Sequence, residues 1–300
     1  MKSAIRWDGV DTIDTGGIEL GVGGAKAIAE AMKTNICLTT INLMNNRIGA
    51  EGAQVLAEAL DANFTITTFK LLNNNIGCEG TQALAHVLQT KTELQNGIPR
   101  VRPAVTTLDL WKNNIGSEGA QALAEALKVN TTLIKLYLYT NNIGNEGANS
   151  IAEALKANSV LTTLHLDDNN ISGEGAQTLA EALKTNSAIA TLSLDRNNVD
   201  FKGCQALEQA VKVNSTLKAL YLFGSDVADL WRKFAKAAEE DKVDGSHPVG
   251  GSRPGSHRPA SHTSRPGSHR PGTHSSAKPG SHASSRPGSV KKPGSSQKAK

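Results

Sequence analysis

His165 stands two residues before Asp167 and three before Asp168 in the stretch LHLDDNN. An imidazole beside two carboxylates is the equipment of a general base or a metal site. No second His or Cys is spaced to complete a ligand set and no nucleophile aligns with it, so catalysis, a bound metal and a cofactor are not expected there. A second candidate is GVGGAK, Gly21 to Lys26, whose glycines are like those of a phosphate-binding loop. Gly21 and Gly24, however, return 28 residues later as Gly49 and Gly52, and no Gly-Lys-Ser/Thr follows, so a repeat register explains them. Cys37, Cys78 and Cys204 are three thiols at unrelated spacings, which suits a reducing compartment better than a disulfide framework. The remaining chemistry is recognition, and for that the aromatic residues Trp111, Tyr137 and Tyr139 are the natural candidates.

Something must position these residues, and the chain shows what it is. An apolar-x-x-apolar-x-apolar-x-x-Asn-x-Ile motif starts at Leu38, Ile66, Val105, Leu133, Leu161 and Ile189, at intervals of 28, 39, 28, 28 and 28 residues. Its alternation predicts a short strand. The stretch after each motif, as in GSEGAQALAEALKVN, spaces Leu and Ala for a helix. Glu51, Glu79, Glu118, Glu146 and Glu174 are expected just before the first helical turn, where a carboxylate complements the dipole. Lys128 with Asn130, Lys156 with Asn158 and Lys184 with Asn186 follow the last Leu, where a cation and a left-handed cap are favoured.

These motifs resemble leucine-rich repeats of the ribonuclease-inhibitor type, and the EGAxxLAEAL helices resemble those of NOD-like receptors and Ran GTPase-activating proteins. The resemblance implies an α/β fold, a curved solenoid or horseshoe of about seven to eight strand-helix repeats with a parallel sheet on the concave side. It implies a non-enzymatic protein-interaction scaffold as the function. A GTPase activator similar to the Ran activator is the alternative, although those proteins carry an acidic C-terminal segment where this chain has a basic one. The repeats fade at both ends, near Val10 and Ile13 and after Leu217, as capping repeats do. The folded part is expected over residues 5–242, closed by an amphipathic helix over about 228–240 through Leu230, Trp231 and Phe234.

Within the motif the strand pattern sends Leu108 and Leu110 inward and leaves the residues between them on the open face of the sheet. Asn46, Asn74, Asn113, Asn141, Asn169 and Asn197 fall where each strand bends away, and an amide that both donates and accepts is suited to a structural ladder there. Five of the eleven aromatic residues occupy outward slots: Trp111, Tyr137, Tyr139, Tyr221 and Phe223. With His165, Asp167, Asp168, Asp195 and Arg196 they form the candidate partner-binding face, aromatic anchors beside an acidic patch. The plainer reading is that aromatics simply suit an exposed sheet.

One interval exceeds the period by 11 residues, and removing Gln95 to Val105 restores a perfect repeat. The insertion, residues 95–105, contains Pro99 and Pro103, so an irregular loop is expected, bringing Arg100 and Arg102 near the repeat that carries Trp111. Residues 243–300 read as a disordered tail rich in Ser, Pro, Gly and His. From Ser246 onward there are ten Lys or Arg and no acid, whereas residues 1 to 245 hold 22 basic and 28 acidic residues. Such a tail can attract nucleic acid or an anionic surface weakly, or simply solubilise. Ser256, Ser261, Ser268, Thr273 and Ser289 each follow a basic residue by three and are candidate phosphorylation sites. Neither a signal-peptide pattern at the N-terminus nor 18 consecutive apolar residues occur, so a soluble monomer of the cytoplasm, or of the nucleus, is expected.

Overall fold

The computed structural model describes residues 9–89 and 105–223, together with the backbone of 91–95 and 98–102. The chain divides into two units, Met1–Pro248 and Val249–Lys300, and the described residues all lie in the first. There β1 (Thr12–Asp14) leads to α1 (Gly21–Thr34), β2 (Thr40–Asn42) to α2 (Gly49–Ala62), and β3 (Thr68–Lys70) to α3 (Gly77–Leu88). A hairpin of β4 (Lys91–Gln95) and β5 (Ile98–Arg102) intervenes. The alternation then resumes with β6 (Thr107–Asp109), α4 (Gly116–Val129), β7 (Lys135–Tyr137), α5 (Gly144–Ala157), β8 (Thr163–His165), α6 (Gly173–Thr185), β9 (Thr191–Ser193), α7 (Phe201–Val213) and β10 (Ala219–Tyr221).

Eight of these strands form one open parallel sheet in the order β1-β2-β3-β6-β7-β8-β9-β10, with the same position of each repeat always facing its counterpart. Each of these strands except β10, whose Leu220 is half-buried, buries its middle residue, for example Leu108, Leu136 and Leu164, and Leu110, Leu138 and Leu166 follow two residues later. Against them pack the Leu and Ala faces of the helices, as the sequence spacing predicts. Neighbouring helices need about 8–10 Å and neighbouring strands only about 4.8 Å, so such a stack bends with its sheet on the inside. That difference is the physical reason for a curved solenoid.

The Asn ladder is present as expected. The Asn141 side-chain amide donates to the carbonyls of Leu110 and Tyr139, both at 2.9 Å, and its carbonyl accepts the Asn113 N–H at 2.8 Å. Flanking residues, including Asn73, Asn75, Lys112, Asn114, Thr140, Asn142, Asp168 and Arg196, take positive φ, which accounts for the run of asparagines around each ladder member.

Three expectations are corrected. The glutamates lie inside the first helical turn, because each helix begins at the preceding glycine, Gly49 or Gly144 for instance; the dipole argument still holds. Asn130, Asn158 and Asn186 are extended, with φ of −74°, −81° and −73°, and not left-handed. Their side chains do the capping: Asn158 accepts the N–H groups of Val160 and Leu161 and donates to the carbonyls of Leu127 and Asn130, forming a second ladder. The insertion, finally, is not an irregular loop. Its first residues complete a hairpin in which Gln95 pairs with Ile98 and Leu94 with Pro99. Ladder bonding alternates in an antiparallel ribbon, and the pair closing a two-residue connection is hydrogen-bonded, so Pro99 falls where no ladder bond is required of it. Pro103, the cap helix at 228–240, the tail at 243–300 and the five candidate phosphorylation sites lie outside the described residues.

Candidate functional site

The parallel register lines the open face with two rows. The first runs Asn42, Lys70, Asp109, Tyr137, His165, Ser193 and Tyr221. The second lies two residues further along each strand and runs Met44, Leu72, Trp111, Tyr139, Asp167, Asp195 and Phe223, held level by bonds such as Lys112 N–H to the Tyr139 carbonyl at 2.8 Å. Residues that are 26 or 28 apart in sequence thereby become neighbours.

The predicted aromatic residues do come together. The Trp111 and Tyr139 rings lie 5.2 Å apart, Tyr137 and His165 5.1 Å, and Tyr139 stacks on His165 at 5.3 Å. The Tyr139 hydroxyl and His165 Nδ1 share a hydrogen bond of 2.7 Å. Trp111 stays 41% exposed. Burial pushes the Tyr139 hydroxyl well above the ordinary phenol range, and Asp167 and Asp195 push the same way, so it remains a neutral hydrogen-bonding group.

The acidic residues are arranged differently from a surface patch. Asp167 is 3% exposed, and its Oδ1 accepts the hydroxyl of the equally buried Ser193. Its Oδ2 is buried with no hydrogen-bond partner, 3.6 Å from His165 Nδ1. Asp168 sits at φ +53°, exposed on the rim, and accepts the Thr140 hydroxyl at 2.9 Å. Asp195 is half-buried; burial raises its carboxyl above the usual range although the Phe223 N–H donates to its Oδ1 at 2.5 Å. Arg196 takes the rim position after it, and Tyr221 and Phe223 continue the two rows to the last described strand.

Two residues were not anticipated. Asp109, in the first row beside Tyr137, accepts the Trp111 N–H at 3.1 Å, and burial raises its carboxyl too. Ser193 was the other, and its small side chain beneath Asp167 was the available signal. A Ser, a His and an Asp thus lie close together, but the Ser193 hydroxyl donates directly to Asp167 and is buried, with no imidazole between them to activate it. Among the described residues no three His, Cys, Asp or Glu side chains converge as metal ligands. No described helix is long and apolar enough to cross a membrane.

Against known proteins, no curated protein matches the chain. Among solved structures, actin-binding site 2 of leiomodin-1 is similar over 43% of this chain and 82% of its own, with 25% identity and a TM-score of 0.34. Residues 34–57, 104–124, 129–152 and 157–180 match the family described as Leucine Rich repeat. Those segments span the strand, the ladder Asn and the first helical turns of four units in the stack, and in them the chain carries leucine-rich repeats.

Proposed function

We propose that the repeats are of the ribonuclease-inhibitor type and that the chain is a non-enzymatic scaffold which binds a protein partner on the open face of its sheet. One observation carries this reading: Trp111, Tyr137 and Tyr139, with His165, form a continuous aromatic surface across three adjacent strands, ring to ring at 5.1 to 5.3 Å. Thr fills most of the neighbouring outward row, at Thr40, Thr68, Thr107, Thr163 and Thr191, and serves a bare sheet there, so large amphipathic rings add contact area where folding does not demand it. Asp109, Asp167 and Asp195 lie in the same two rows and give the surface a sign. The reactive-looking groups are already engaged with one another, which suits binding better than turnover.

The test is partner capture by the full chain carrying Trp111→Ala and Tyr139→Ala, compared with wild type by quantitative pull-down. Loss of more than about tenfold is expected for two central anchors, with the melting temperature lowered by only a few degrees. Undiminished capture overturns the proposal.

A further inference from the structure

The central carboxylates of this face stand out in forming no ion pair with a Lys or Arg among the described residues. Asp109, Asp167 and Asp195 are each at least half-buried, and each gives one oxygen to a hydrogen bond, from Trp111 N–H, the Ser193 hydroxyl and Phe223 N–H. None makes an ion pair with a Lys or Arg among the described residues, whereas Glu residues on the helices do so repeatedly with Lys. The cations that do face them are peripheral. Lys70 stands beside Asp109 and Arg196 beside Asp195, and their pull on each carboxyl is outweighed by burial; Lys135 is exposed on β7, and His165 Nδ1 is 3.6 Å from Asp167. The buried Oδ2 of Asp167 has no hydrogen-bond partner. A desolvated carboxylate held this way is costly for the free protein, and an incoming cation removes that cost.

The surroundings select the kind of cation. Trp111 and Tyr139 present tilted rings 5.2 Å apart in the row that continues into Asp167 and Asp195. A flat guanidinium can stack on such rings and offer paired N–H donors to a carboxylate, whereas an ammonium offers a point charge that is more strongly hydrated. We propose that the partner presents an arginine, whose aliphatic stem lies along Trp111 and whose guanidinium stacks on Tyr139 and reaches toward Asp195, while the charge of Asp167 attracts it from below. The inference rests on the reading of this face as the partner-binding surface and names the partner's chemistry.

The experiment follows the Trp111 indole N–H resonance of the full chain, identified by its disappearance in Trp111→Phe. Three Gly-Ser peptides of about twelve residues are titrated, identical except for a central Arg, Lys or citrulline. A saturable shift with the Arg peptide is expected, weaker by about threefold or more with Lys and by about tenfold with citrulline, the size of a charge-assisted hydrogen bond combined with a cation-ring contact. Asp195→Asn keeps an acceptor for the Phe223 N–H and is expected to reduce the Arg affinity about tenfold, while Glu58→Gln on the far side of α2 leaves it unchanged. Equal affinities for Arg and citrulline, an undiminished Asp195→Asn, or the absence of any shift each overturn the inference. If the native partner is lost on Trp111→Ala with Tyr139→Ala but retained in full by Asp195→Asn, the face still binds and only the arginine assignment falls.

Discussion

Single residues carry this fold by satisfying main-chain groups that the bends set free. Asn141 answers three buried groups at once, so Asn141→Leu, similar in size but without polar atoms, leaves them stranded. A loss of about 3 kcal/mol is expected in denaturant unfolding. Thr140 works in the opposite direction: a β-branched side chain held at φ +51°, where Asn45 and Asn73 stand in earlier repeats. Thr140→Asn retains a donor for Asp168 and is expected to stabilise by about 1 kcal/mol, the left-handed penalty relieved. Asp195 links stability to function through its burial. Its folded carboxyl holds a proton to higher pH than the unfolded one, so its contribution to stability falls as pH rises from the ordinary Asp value through the folded value, and the cost is complete above the folded value. Asp195→Asn is therefore expected to melt no lower than wild type at pH 7, and to lose the relative gain of wild type near pH 4 in parallel melts. Binding lost while stability is kept is the behaviour of a residue held for its partner.

At the scale of elements, what was legible in the sequence was whatever repeats. Leu, Asn and Ile at fixed offsets mark the six inner strands of the sheet, β2, β3 and β6 to β9, and the helices after them, and the outward slots put Trp111, Tyr137 and Tyr139 together without coordinates. Depth was not legible, because a period of two assigns a face but not how far a neighbour covers it; Ser193 draws Asp167 down into the sheet, and only the paired register shows that. In the insertion two signals compete: Pro99 and Pro103 point to a loop, whereas Asn96-Gly97, the dipeptide between the paired Gln95 and Ile98, is a strong hairpin signal, and the hairpin signal prevails. The main stack ignores the interruption: β3 pairs directly with β6, and Val105 is buried where Ile66 and Leu133 lie in other repeats. Beside the hairpin one member of the second ladder is missing, since Lys91 and Arg102 stand at the positions 28 residues after Asn63 and before Asn130. Among the described residues the Asn130 amide donates to the Leu88 carbonyl and the Thr132 hydroxyl, whereas that of Asn158 donates to two carbonyls. Deleting Gln95 to Val105 puts Leu94 in the place of Val105, and the shortened chain is expected to melt at least as high as wild type. Adding Lys91→Asn restores the missing rung and is expected to contribute about 1 kcal/mol more, read as an upward shift of the urea midpoint. A shortened chain that fails to fold would give the hairpin a structural role that the uninterrupted register denies it.

For the molecule as a whole, the described repeats behave as a line of neighbours. The principal helix contacts join consecutive helices only, α1 with α2 through to α6 with α7. Close approach makes those junctions stiff: a Cβ on Gly147 would stand 2.9 Å from the Ala120 Cβ and 2.5 Å from Ile143 Cγ2, so only glycine lets α4 and α5 lie so near. In such an array stability is a sum of repeat and interface contributions, and damage is felt locally before it is felt globally. Leu136, fully buried at the centre of β7, tests this. Leu136→Ala is expected to cost about 3 kcal/mol, and hydrogen exchange shows where the loss falls. Amides of β6, β7, β8 and the flanking α4 and α5 should exchange markedly faster, with the effect declining toward α1, because each interface transmits only part of the perturbation to the next. The same substitution loosens the three strands on which Trp111, Tyr137, Tyr139 and His165 stand, so partner affinity should fall with it even though the side chain never meets the partner. A uniform loss of protection from β1 to β10 would instead mean that the stack unfolds as one block, and the binding face would then owe its geometry to the whole array rather than to the repeats beneath it.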